Sequence, residues 1–115
     1  MDIYKIWDNY VGVLKKYAVF SGRAGRAEYW WFVLANLVIS IAFGIFSENL
    51  GNLYGTLTFL PGLGVGVRRL HDVGKSGHFL WLLLIPLVGW IIVILKLAKE
   101  GQSGHNKYGS IPATI

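Results

Sequence analysis

Residues 29–46 read Tyr29-Trp30-Trp31-Phe32-Val33-Leu34-Ala35-Asn36-Leu37-Val38-Ile39-Ser40-Ile41-Ala42-Phe43-Gly44-Ile45-Phe46, without one charged side chain. Glu28 and Glu48 bracket this run; Glu48 and Arg68 bracket a second, and Lys75 and Lys96 a third. Each is about 19–20 residues, which at 1.5 Å rise per residue covers roughly 30 Å of hydrocarbon. A soluble domain carries about 25% charged residues. This chain has 15%, against 54% hydrophobic residues. Three such helices in a soluble core would have no polar face to turn to water. The pattern predicts an all-α membrane protein, one membrane domain over 1–115, with transmembrane helices at about 29–46, 50–67 and 79–98 and a polar tail at 99–115.

Before the first run, Ile3, Ile6, Trp7, Tyr10, Leu14 and Tyr17 recur at three- and four-residue steps. Asp2, Lys5, Asp8, Asn9, Lys15 and Lys16 lie mostly elsewhere, so an amphipathic helix is expected over about 2–18. It suits the headgroup plane, and it equally suits packing against the protein's own spans; the two are compatible. Phe20–Arg26 contains two glycines and reads as a break, and Trp30-Trp31 fits an interfacial aromatic belt. The first 28 residues lack the apolar core and small-residue cleavage site of a signal peptide.

Within the first span, Asn36, Ser40 and Gly44 share one face and predict a helix contact. Ser47-Glu48-Asn49 is a tight connection, so the first two spans form an antiparallel hairpin. In the second, Gly51, Gly55, Thr58, Gly62 and Gly66 fall within a narrow arc that lets another backbone approach, within the chain or in a homo-oligomer. Pro61 is expected to kink that helix, and Pro86 with Gly89 interrupts the third run.

Lys and Arg collect before the first span and in Arg68–His78, while the first loop has none; this places the N-terminus and the 68–78 loop in the cytoplasm. Three full spans then put Lys96, Lys99 and Lys107 outside, against the same rule. A re-entrant turn at Pro86–Gly89 would bring the tail back, with each half too short to span. The three-span reading is the one carried forward, with the side of the tail open.

The densest polar cluster is Arg68-Arg69-Leu70-His71-Asp72, continued by Lys75. Paired arginines at a membrane boundary grip phosphate or carboxylate, so Arg68, Arg69, His71, Asp72 and Lys75 are candidates for binding anionic lipid or an acidic partner. Asp72 also suffices as a simple partner for the arginines. His71 and Asp72 are neighbours on a helix and point about 100° apart, which is poor geometry for a proton-transfer pair. No His or carboxylate spacing matches a metal site, there is no cysteine, and Gly74-Lys75-Ser76-Gly77 lacks the context of a phosphate loop. No Asp, Glu, Lys, Arg or His lies in mid-span, where proton-coupled transporters usually need one. No enzyme activity, cofactor or metal is therefore expected. Nucleic acid is not expected either, because the charges flank the spans and form no patch.

Gly22-Arg23 with Arg26, Glu28-Tyr29-Trp30, Pro61, Arg68–Asp72 through Lys75-Ser76-Gly77, Pro86–Gly89 and Asn106-Lys107-Tyr108-Gly109 occur in an order that resembles the domain of unknown function 805 (DUF805) family. The resemblance covers about Tyr17 to Pro112. It implies a multi-pass protein of the bacterial inner membrane and supplies no activity. His78 stands where the family tends to have Trp, and Ser110 departs from a usual Asp, so the carboxylate that the resemblance would bring to the arginines from that position is missing. The expectation is a non-enzymatic protein that packs helices or binds a partner through the glycine stripe, with a basic cytoplasmic loop. The alternative is a small oligomeric channel or transporter subunit with Asn36, Ser40 and Thr58 lining a polar path.

Overall fold

The computed structural model describes residues 3–112; Met1, Asp2 at the start of the expected first helix, and tail residues 113–115 lie outside the described residues. The described chain is all helical: α1 (Ile3–Lys15), α2 (Arg26–Phe46), α3 (Glu48–Asp72), a 3-10 helix (Gly77–Leu84) and α4 (Val88–Ala98). Among the described residues, α2 alone is both long and apolar enough to cross a membrane by composition. α3 is longer, at 25 residues, but glycines and polar side chains dilute its apolar character.

Ser47 is the entire connection between α2 and α3. Its extended backbone lets its N–H donate to Phe43 O at 3.0 Å while its carbonyl accepts from Gly51 N–H at 3.1 Å, so one residue closes one helix and opens the next. The hairpin is tight because a Cβ on Gly51 would lie 3.2 Å from Gly44 Cα. α3 then runs unbroken through Pro61. It also extends five residues beyond the expected limit at Val67, so Arg68–Asp72 form a last helical turn and not a loop. Cations are favourable there because they face the negative end of the helix dipole.

α1 packs across this hairpin. Tyr10 and Val13 share a core with Ala24, Phe32 and Val65, and the Tyr10 hydroxyl reaches that of Tyr54. Gly64 admits the chain after α1: a Cβ there would meet the carbonyls of Val19, Tyr17 and Lys16 at 3.3–3.5 Å. Ile3, Tyr4 and Trp7 remain exposed, so only part of the apolar stripe faces the protein.

The third apolar run is the main correction. It is not one helix over 79–98 but two arms that fold against each other. Pro86 disfavours helix at the residue before it, and Ile85 is extended at φ −97°, ψ 105°. Leu87 follows at φ 62°, ψ −68°, in a γ-turn closed by Val88 N–H to Pro86 O at 2.8 Å. Gly89 then packs directly on the Leu82 carbonyl, where any Cβ would collide. Both ends of the pair return to the end of α3: Gly77 lies against Val67, and Leu97 O accepts from Arg69 Nε at 2.9 Å. An eight-residue 3-10 arm and an eleven-residue α arm are each about 16 Å long, half of a roughly 30 Å hydrocarbon core.

Gly89→Ala is expected to force the arms apart, costing about 1–3 kcal/mol as an overpacked contact does. Thermal unfolding in detergent should show a clear loss for Gly89→Ala and almost none for Gly55→Ala, whose Cβ meets nothing within 4 Å.

Candidate functional site

Asp72 sits at the end of α3, 4% exposed, between two arginines. Its Oδ1 accepts from Arg23 Nε at 2.9 Å and its Oδ2 from Arg69 Nη1 at 2.6 Å. Each guanidinium then spends its remaining donors on backbone carbonyls. Arg23 Nη1 reaches Gly104 O at 2.6 Å and Gly109 O at 3.2 Å, and its Nη2 reaches Gln102 O at 2.5 Å. Arg69 donates to Leu97 O, to Ala24 O at 3.3 Å and to Lys99 O.

Arg68, 2% exposed, turns the other way. Its Nη1 pairs with Glu28 Oε2 at 2.5 Å and its Nε donates to Val19 O at 3.2 Å, while Nη2 has no partner. His71 Nδ1 is 2.9 Å from Gly22 O, which requires the proton on that nitrogen, and its ring stacks on Tyr108 at 3.9 Å. The tail is clasped in return. Gln102 N–H donates to Asp72 O at 2.7 Å and Asn106 Nδ2 to His71 O at 3.0 Å, satisfying carbonyls that a helix end leaves open. Gly101 is required because any Cβ would collide with the Asp72 carboxylate.

This corrects the expected headgroup grip by Arg68, Arg69, His71 and Asp72. All four are buried, and each is bonded to groups of the protein itself. Only Lys75 of that set is exposed. His71 and Asp72 diverge as their helical spacing requires and do not pair. Among the described residues no three His, Asp or Glu side chains gather where a metal ion could be shared. His78 stands apart and accepts from the Trp81 indole at 3.3 Å.

The glycine stripe divides. Gly51 meets Gly44, whereas Gly55, Thr58, Gly62 and Gly66 line a groove of ≈ 550 Å³ between α2, α3 and the folded-back arms. Asn36 and Ser40 line it too, but Leu, Phe, Val and Ile side chains supply most of its wall.

Sequence reasoning passed over Arg23, Glu28, Gln102, Asn106 and Tyr108 as site residues. The usable signal was the order of the blocks around Arg23, Glu28 and Asn106–Gly109 that carry the family resemblance, which come together only after folding. The Asn106 turn is built for it: Tyr108 N–H donates to Asn106 Oδ1 at 2.8 Å, and Gly109 takes φ 131°.

Asp72→Asn should destabilise the fold by about 3–5 kcal/mol, since it leaves two buried cations without their counter-ion. Limited proteolysis of the variant should cut within 100–109, where the wild-type tail is protected.

The family model described as "Protein of unknown function (DUF805)" matches residues 17–110. "Inner membrane protein YhaI" of Escherichia coli (strain K12) is 43% identical over 110 residues, covering 90% of this chain and 93% of the relative. "Inner membrane protein YhaH" of the same strain is 40% identical over 116 residues, covering 91% and 96%. "Uncharacterized protein YiiR" is 31% identical over 121 residues, covering 78% and 83%. No solved structure matches. With relatives of this likeness named for the inner membrane, the chain is an inner-membrane protein and belongs to the DUF805 family.

Proposed function

We propose that this chain is a non-enzymatic, lipid-interacting membrane protein in which α2 and α3 span the bilayer as a hairpin and the third apolar run is re-entrant. Its N-terminal segment, the end of α3 and the tail all face the cytoplasm. The observation that carries this reading is the pair of arginine clasps. Arg23 and Arg69 hold carbonyls of residues 97–109 at the end of α3 that also receives the break after α1. With the tail at that end, the positive-inside rule no longer conflicts with itself.

Exposed Lys15, Lys16, Arg26, Lys75, Lys99 and Lys107 lie on segments that meet there, while the opposite turn of the hairpin carries Glu48 alone. These side chains, and not the buried arginines, are the ones available to anionic headgroups. The two residues that an enzyme would most readily use, His71 and Asp72, are committed to structural bonds.

A reporter fused after Pro112 is expected to fluoresce in the cytoplasm; activity of a periplasmic phosphatase fused at the same place would overturn the topology. In nanodiscs, adding anionic phospholipid should raise the unfolding temperature above that in zwitterionic lipid. Converting Lys15, Lys16, Lys75 and Lys99 to Gln should erode that preference by up to roughly fivefold per residue, about 1 kcal/mol each. Equal stability in the two lipids would refute the basic-face reading.

A further inference from the structure

Three glycines of α3 stand where packing does not require glycine. A Cβ on Gly55 would meet nothing within 4 Å, one on Gly62 only the Phe32 ring at 3.7 Å, and one on Gly66 only the Tyr29 ring at 3.8 Å. Alanine would be accommodated at each and would favour the helix by about 1 kcal/mol. The reason for the small residues is the space in front of them. That space is the ≈ 550 Å³ groove, within the roughly 300–1,000 Å³ range of ligand sites.

The groove is a hydrocarbon slot. Leu37, Phe59, Leu83 and Ile94 line it and are also exposed, so its wall is continuous with the outer apolar surface of an inner-membrane protein. Toward the end of α3 it is closed: Val93 and Leu97 are buried there, and Trp30 Nε1 donates to Leu97 O at 3.1 Å. From Gly55 to Gly66 it follows α3 for about 16 Å, half the bilayer core, which is the reach of an acyl chain within one leaflet. Tyr29, Asn36, Ser40 and Thr58 are its polar side chains; Thr58 is bonded to Tyr54 O at 2.9 Å, and Asn36 Oδ1 is buried without a partner. That is too sparse a lining to replace an ion's hydration shell.

We infer that this groove is a binding site for one phospholipid acyl chain, inserted between the α2–α3 hairpin and the re-entrant arms. The medium that reaches its mouth is hydrocarbon, so an acyl chain fills it without desolvation of polar groups, and the glycines keep its floor clear. The site reads the chain and not the headgroup, so it stands or falls separately from the basic cytoplasmic face.

The test is native mass spectrometry of full-length protein released from phospholipid nanodiscs, together with photocrosslinking by a phospholipid bearing a diazirine near the acyl terminus. Wild type should retain one phospholipid and crosslink to peptides of α2 around Asn36–Ser40 and of the arms around Leu83. Gly55→Leu and Gly62→Leu should each lower retention roughly tenfold, equivalent to 1.4 kcal/mol. Leu57→Phe, on the exposed outer side of α3, should leave it unchanged. The four-lysine variant should also keep the acyl crosslink. Wild type without a retained lipid, crosslinks spread evenly over exposed positions, or a retained mass other than phospholipid would overturn the site. So would a change of oligomeric state in Gly55→Leu with retention intact, which would assign the groove to a second copy. If a glycine variant does not fold, the wild-type crosslinking pattern alone decides.

Discussion

A carboxylate buried between two guanidinium groups governs where four segments of this chain lie. Asp72 alone would be very costly to bury as an ion, and Arg23 and Arg69 equally so. Together they still leave one net positive charge, and the carbonyl oxygens of residues 24, 97, 99, 102, 104 and 109 turn toward it. The gain from such a cluster is less in net stability than in uniqueness, because an arginine fork is satisfied only by acceptors at fixed places. Moving the tail by one residue would leave buried donors open. The break after α1, the end of α3, the end of α4 and the tail are thereby held in one register.

The fold-back of the third apolar run follows from that constraint. A chain that leaves the end of α3 at Gly77 and must return to Arg69 by Leu97 has about 20 residues, enough to cross once or to go half way and back. The clasp selects the second. A reversal among apolar side chains must find backbone partners within the protein, and at this tip it does. Ile85 N–H donates to Leu82 O, Gly89 N–H to Ile85 O and Ile91 N–H to Leu87 O, and the Trp90 indole donates to Leu83 O. The left-handed Leu87 is the strained element that this economy of length imposes, and Gly89 is what allows the arms to touch.

Charge-free run lengths made α2 legible to within three residues at its start, and the shortness of Ser47–Asn49 made its hairpin with α3 legible. The third run misled for a physical reason: an apolar count measures whether a segment is at home in lipid, not whether it travels one way through it. Pro86 and Gly89 carried the correct signal, yet only distant carbonyl partners decide between a kink and a reversal. The Arg68–Asp72 motif was visible as the place that matters, but its burial was not. Positive-inside reasoning treats every cation as water-facing, and the acceptors that draw Arg69 inward lie about 30 residues downstream. The glycine arc divides, Gly51 touching Gly44 while Gly55, Gly62 and Gly66 border a groove; whether a small face touches or leaves room depends on what stands opposite.

The choice between the two basic residue types sharpens this division. Three of the four arginines, at 23, 68 and 69, are buried, whereas no lysine is. A guanidinium offers five donors in a fixed plane and is less strongly hydrated than an ammonium, so it can be taken out of water and shared among several carbonyls. An ammonium at position 69 would offer three donors from one point. It could not reach Asp72, Ala24, Leu97 and Lys99 together, although it would keep the same charge. Lysines on the surface have the opposite virtue, a compact and well-hydrated charge on a flexible stem. The arginines therefore fix the end of the fold where α3, α4 and the tail meet, and the lysines stay at its surface.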